Sequence, residues 1–221
     1  SVFPDAKPDE ARGFTREKLF ITSRKKLSRP DPNLMASGNG GPIQGRRAEL
    51  IVVDDLVDEA AVQSEKIMRD TKSWFKTLLL PRLNPGGRCI VICTRWGMND
   101  LAGMLVDDLD FEVLHMAAEG DEYGAYVDHL PPRYKVQTEC VKQGIGEDEY
   151  LENLANRIAE SEGFQTRVCQ SVTDRSRFGI RKYIRPDSDA GVLWPEARDQ
   201  EYLDEHKRGM GTVTYSLVYQ G

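Results

Sequence analysis

Two apolar, β-branched runs bracket a helix-like segment, and no other feature of the chain narrows its fold as much. The first is Leu50–Val53 in "ELIVVDDLVD"; the second lies in "RCIVICT", Arg88–Thr94. Between them Ala61, Met68, Phe75 and Leu79 recur at helical spacing. They predict a long amphipathic helix from Glu59 to about Leu80, with Asp58 as its N-cap. "NPGG", Asn84–Gly87, predicts a turn before the second run. Strand, helix, turn and strand in that order make a βαβ unit, and a continuous apolar run suits a fully buried parallel strand. The expected class is α/β, a parallel sheet with flanking helices.

The rest of the chain adds to this frame. Short strands are expected at Lys18–Ser23 and Leu34–Ser37, around the basic run "RKKLSR", Arg24–Arg29. Asn99 is expected to cap a helix reaching about Asp107, and Phe111–Ala117 to continue the alternation as a strand. From Glu119 to about Pro186 the pattern loosens and predicts an irregular insertion. Within it Tyr150, Leu151, Leu154 and Ile158 mark one face of a helix at Glu147–Ser161. A last helix is expected over Pro195–Lys207. Three segments result: residues 1–118, 119–186 and 187–221.

At 221 residues, with 39% hydrophobic and 30% charged residues, the chain suits one globular domain with an appendage. A formal net charge of −6 argues against a stand-alone nucleic-acid binder. Cys89, Cys93, Cys140 and Cys169 form no disulfide framework at this length, and three scattered histidines give no zinc pattern. Cys89 and Cys93 would share a strand face as buried thiols. No apolar stretch is long enough to span a membrane, so a soluble protein in a reducing compartment is expected.

In open α/β sheets ligands sit beyond the carboxyl ends of the strands, which is where Asp54 and Asp55 fall. Mg²⁺ takes one or two protein carboxylates and fills its other positions with water and phosphate oxygens. An adjacent acid can orient or deprotonate an attacking water. "LIVVDD" thus has the form of a Walker B strand, with Asp54 on the Mg²⁺ side and Asp55 in the base position. The competing reading is an apolar strand followed by an acidic turn with Asp58. A phosphate-binding loop is not found. Gly40–Gly45 matches G-x-x-x-x-G, but Arg46 and Arg47 stand where Lys and Ser or Thr belong, and the loop leads into a strand instead of a helix.

"LIVVDDLVD", then "LLLPRLNPGG", then "IVICTRWGMNDLAG" resembles the later part of the N-terminal ATPase domain of tailed-phage large terminase subunits. "GPIQGRRAEL" and "LWPEARDQEYLDEHKRGMGTVTYSLVYQ" are also similar to that family. The resemblance covers about Pro30–Asp107 and Leu193–Gln220 and is most specific in the "TRW…DLAG" block.

The resemblance implies a partial P-loop NTPase-like fold of RecA/ASCE type in a motor that couples ATP hydrolysis to driving double-stranded DNA into a procapsid. Residues 1–118 would be the core half with Walker B and coupling motif, and 187–221 the helical end of the ATPase domain. Asp54 would hold Mg²⁺, and Asp55 would take the place of the water-positioning acid, often a glutamate in such motors. Thr94 would sit in the coupling motif and sense the γ-phosphate; the alternative is a strand-end hydroxyl bonding local backbone. Arg46 or Arg47 would serve a neighbouring subunit as an arginine finger; the alternative is a solvated basic turn. Arg95 would contact DNA or phosphate, or pair with Asp100, while Trp96 packs in the core. "RKKLSR" would meet DNA phosphates or be plain solvated surface.

The implied partners are double-stranded DNA, the portal protein, the small terminase subunit and further copies in a ring, in the cytoplasm of a bacterial host at the procapsid portal, without membrane contact. A full large terminase subunit carries a P-loop before this region and a nuclease domain after it. The chain is therefore expected to be partial, as a gene fragment, split subunit or truncated piece. Alone it should bind ATP weakly, and a P-loop-bearing fragment would complement it. Two rivals stay open: a non-catalytic remnant or docking subunit, and a two-metal nuclease drawing on Asp100, Asp107 or Asp108. The tail "TVTYSLVY" alternates like a strand, whereas the family implies a helix.

Overall fold

The computed structural model describes residues 7–12, 15–22, 31–97, 99–170, 177–186 and 192–215. "RKKLSR" and residues 216–221 lie outside them. The chain divides into two units, residues 1–56 with 69–92, and residues 57–68 with 93–221.

In the first unit, β1 (Lys18–Leu19) and β2 (Leu34–Met35) pair antiparallel. A glycine-rich loop, with Gly40 and Gly45 at φ 73° and 74°, then leads straight into β3 (Ala48–Asp54). β3 pairs in parallel with β4 (Leu83–Ile92), with Leu50 beside Arg88 and Asp54 beside Ile92. The parallel pair is as expected, but the "NPGG" turn is a bulge inside β4, between the pairs Ala48–Leu83 and Leu50–Arg88. Gly86 takes φ 77°, and a Cβ on Gly87 would stand 3.2 Å from the Glu49 carbonyl oxygen. Only a bare backbone can rejoin β3 that closely.

The connection between the strands is not one helix. It comprises α1 (Glu59–Val62), α2 (Glu65–Trp74), a π turn over Phe75–Leu79 and a 3-10 turn over Leu80–Arg82. Asp58 does cap α1, its Oδ1 accepting the Ala61 N–H at 2.8 Å. Ser64 makes a fresh start possible, its Oγ accepting the Ile67 N–H at 3.3 Å. Pro81, which has no N–H to give, falls in the final 3-10 turn. α2 passes from the second unit into the first.

The expectation of a sheet buried on both faces is corrected. Ile51, Val53, Cys89 and Val91 are at least partly buried, while Leu50, Val52, Ile90 and Ile92 on the other face are 52%, 56%, 49% and 55% exposed. Cys93 falls beyond the end of β4 and is exposed, so it does not share the Cys89 environment.

The second unit holds α3 (Leu101–Asp107), β5 (Val113–Met116), β6 (Ala125–Leu130), α4 (Arg133–Gln143), α5 (Glu147–Glu162), β7 (Gln165–Gln170) and β8 (Phe178–Arg185). α6 (Gln200–Met210) and α7 (Thr212–Tyr215) complete it. The strands form one sheet in the order β5-β6-β8-β7, antiparallel at every pairing. The described residues of 119–186 are therefore largely in regular elements, not an irregular insertion. β5 does not extend a parallel sheet but pairs with β6 across the expected boundary at 118.

The amphipathic stripe predicted at Glu147–Ser161 is borne out by α5, whose Tyr150 and Leu151 are buried with Val136 of α4 and pack on Val168 of β7. Gly144, at φ 68°, ends α4 and opens the short turn to α5. The final helix begins five residues later than expected because Asp199, not a residue near Pro195, supplies the N-cap. Its Leu203 is fully buried with Val192 and Tyr215. Of the ambiguous tail, Thr212–Tyr215 is helical. The chain is thus mixed α/β, one parallel strand pair with separate antiparallel sheets. No helix of the described residues is long and apolar enough to cross a membrane.

Candidate functional site

β3 ends on the two carboxylates that the sequence singled out. Asp54 is its last residue, and by strand alternation it shares a face with Leu50 and Val52. Asp55 leaves the strand at φ 42°, a left-handed conformation that Asp tolerates better than most residues. Its N–H still donates to the Ile92 carbonyl at 3.0 Å, so the ladder closes one residue past Asp54 and the chain then turns away. Both aspartates are exposed, and neither side chain has a hydrogen bond or ion pair among the described residues. The result is a pair of exposed carboxylates, without partners among the described residues, at the carboxyl end of a parallel pair.

That donor set fits Mg²⁺, which needs only one or two protein carboxylates. No group of three or more His, Cys, Asp or Glu residues stands together among the described residues, so an ion here would complete its shell with water or phosphate oxygens. Asp54 would hold it, with Asp55 adjacent.

Arg46 and Arg47 lie at the other end of β3, roughly 20 Å away along a seven-residue strand. Both are engaged within the chain. Arg46 Nη1 pairs with Asp31 Oδ1 at 2.9 Å, and Arg47 Nη1 donates to the Pro81 carbonyl at 2.7 Å, where a cation satisfies the carbonyl-rich end of the helical segment. The basic turn is thus tied to its own unit.

Thr94 opens the loop that precedes α3 in the second unit. It is half-buried, and its hydroxyl makes no hydrogen bond among the described residues, so the local backbone bond considered for it is not formed. The loop itself is closed by Asp100, which is 2% exposed. Its Oδ1 caps α3 by accepting the Gly103 N–H at 2.9 Å; its Oδ2 accepts the N–H groups of Trp96 and Gly97 at 2.9 and 3.3 Å. The cap is Asp100, not Asn99 as expected. Arg95 resolves toward the pairing alternative, with Nε 3.2 Å from Asp100 Oδ2 and Nη2 donating to the Gly97 carbonyl at 3.1 Å. Only 11% of its side chain is exposed. Asp100 is consequently committed to structure and is a poor ligand for a nuclease metal.

The sequence reading missed a second polar constellation, on one face of the antiparallel sheet. Arg181 of β8 donates from Nε and Nη2 to both oxygens of Asp128 on β6, at 2.7 and 2.8 Å, and from Nη1 to Asp121 at 2.8 Å. Its guanidinium lies 3.5 Å over the Tyr126 ring, and the Tyr183 hydroxyl donates to Asp121 at 3.2 Å. Asp128 is 1% exposed. Burial alone would push its carboxyl up, but the Arg181 hydrogen bonds and the neighbouring His115 outweigh that and hold it below the usual range. Cys169 Sγ also lies 3.5 Å from Asp128, and burial, with that carboxylate beside it, pushes the thiol up to about 12. A thiol so raised is no nucleophile, so the cluster reads as a buried brace. The available signal was Asp128 in "AYVDHL", an acid on the same strand face as Tyr126 and Leu130.

Neither protein-family models nor curated proteins yield a match to the chain.

Proposed function

We propose that the chain is an ATP-hydrolysing element of a viral DNA-packaging motor, part of the ATPase domain of a large terminase subunit. One observation carries the reading: two exposed carboxylates, Asp54 and Asp55, unpaired among the described residues, stand at the end of β3 beside Ile92, the last residue of its parallel partner. The "TRWGMNDLAG" block that follows β4 supports it. In this reading the fold is the P-loop NTPase type, Asp54 holds Mg²⁺, and Asp55 accepts a proton from, or orients, the attacking water. Thr94, its hydroxyl uncommitted, senses the γ-phosphate. Bound Mg²⁺ supplies charge neutralisation at the phosphates.

Arg46 and Arg47 serve first as braces to Asp31 and Pro81; a role in a neighbouring subunit requires releasing those contacts. The partners are double-stranded DNA, the portal protein, the small terminase subunit and further copies in a ring, in the bacterial cytoplasm at the procapsid portal. The chain carries no G-K-[ST], so ATP affinity of the chain alone is low.

The test is Mn²⁺ binding in the presence of ATP, followed by electron paramagnetic resonance, for the wild-type chain and Asp54→Asn. Loss of bound Mn²⁺ in the variant supports the reading. Equal binding by both removes Asp54 from the metal site and leaves a docking role without catalysis.

A further inference from the structure

Among the described residues of the first unit, the half-exposed face of the parallel pair has a definite shape. Its three side-by-side rows are Leu50–Arg88, Val52–Ile90 and Asp54–Ile92. The four apolar side chains are each about half exposed, and such strands are ordinarily covered on both faces by helices. An apolar strip of this kind marks an interaction surface. Charge is sorted along it, with exposed Arg88 at the amino end and exposed Asp54 and Asp55 at the carboxyl end.

We infer that this face docks a single amphipathic α-helix of a partner polypeptide, running antiparallel to β3 and β4, with its N-terminal turn over Asp54 and Asp55. Size argues against a second copy of the chain. Three rows on two strands extend about 14 Å by about 5 Å. A helix roughly 10 Å wide covers that length in about nine residues. A stable dimer needs about 800 Å² from each partner, well beyond this strip. Charge fixes the direction. The positive end of a helix dipole, or lysines in the first turn, meets the two carboxylates, and the negative end, or glutamates in the last turn, meets Arg88. The reverse orientation places like charges together at both ends. The inference rests on the strip and its end charges; because Asp54 and Asp55 face the docked helix, helix docking and a metal ion at Asp54 exclude one another.

The experiment uses the full chain and two fluorescein-labelled 18-residue helical peptides with leucines at i, i+3, i+4 and i+7. One carries lysines in its first turn and glutamates in its last; the other has those charges exchanged. Fluorescence anisotropy should show the first binding about fivefold or more tightly than the second, with the preference shrinking in 1 M salt. Val52→Lys, at an exposed position and checked for native circular dichroism, should weaken it at least about tenfold. Equal binding of the two peptides, binding that survives Val52→Lys, or no binding overturns the inference. So does a dimer in sedimentation velocity that Val52→Lys abolishes, since the strip would then belong to a second copy.

Discussion

Asp55 donates its backbone N–H to the Ile92 carbonyl at 3.0 Å while holding φ at 42°. One residue thus both closes the parallel ladder and breaks out of it, directly after Asp54. A β-branched side chain resists this conformation. Asp55→Val should lose about 1–2 kcal/mol in urea unfolding, whereas Asp55→Gly and Asp55→Asn stay within roughly 0.5 kcal/mol of wild type. Equal stability of the valine variant would mean that the left-handed turn is not held.

Asp100 closes the loop between Thr94 and α3 by accepting three backbone N–H groups. Asp100→Ala should cost about 2–3 kcal/mol, more than an ordinary cap, because buried backbone donors lose their acceptor and Arg95 loses an ion-pair partner. Asp100→Asn should fall between, since one amide oxygen can serve Gly103 but the amide nitrogen cannot accept from Trp96. Hydrogen exchange at the Trp96, Gly97 and Gly103 amides should quicken in step; unchanged protection would contradict the closure.

Asp128 titrates below its ordinary value in the folded chain, so its contribution to stability is complete above the unfolded carboxyl range. It is lost as pH falls through the lower, folded value. Denaturation midpoints should hold steady above about pH 5 and decline below about pH 4. Asp128→Asn should flatten part of that decline and lower stability near neutrality by about 3–5 kcal/mol, because Arg181 keeps a buried charge with one partner fewer. An unaltered acid limb in the variant would place the titration elsewhere.

Three of the four cysteines should separate by reactivity. Burial pushes the Cys89 thiol up to about 11 and, with Asp128 beside it, the Cys169 thiol up to about 12, while Cys93 is exposed. Iodoacetamide at pH 8 followed by mass spectrometry should modify Cys93 well before Cys89 or Cys169. Early modification of Cys169 would mean that the Arg181 brace opens in solution.

The parts of the fold legible in the sequence were those fixed locally. The β3–β4 pair follows from two apolar runs, the α1 cap from Asp58, and the α5 face from Tyr150 and Leu151. What escaped depended on distant partners. The break at Gln63–Ser64 sits inside a helical apolar period that gives no warning of it. The antiparallel sheet joins strands as far apart as Val113 and Arg185, and the Arg181–Asp128 brace crosses two of them, a long-range pairing that no local pattern encodes. The half-exposed rows of β3 and β4 were misread for a related reason: a continuous apolar run records what a strand can bury, not what covers it. At the candidate site, the positions of Asp54 and Asp55 at a strand end were legible and the left-handed turn was not, while the pairing of Arg95 with Asp100 was one of two alternatives that the sequence left open.

Asp54 and Asp55 are proposed as the metal and water side of an ATPase site. The most direct test of that proposal is Mg²⁺-dependent ATP hydrolysis by the chain mixed with a polypeptide carrying G-x-x-x-x-G-K-[ST], beside each alone and beside Asp54→Ala. The account predicts turnover only in the mixture, falling at least about a hundredfold in Asp54→Ala. Turnover that Asp54→Ala leaves intact would contradict it, as would a mixture no more active than its parts.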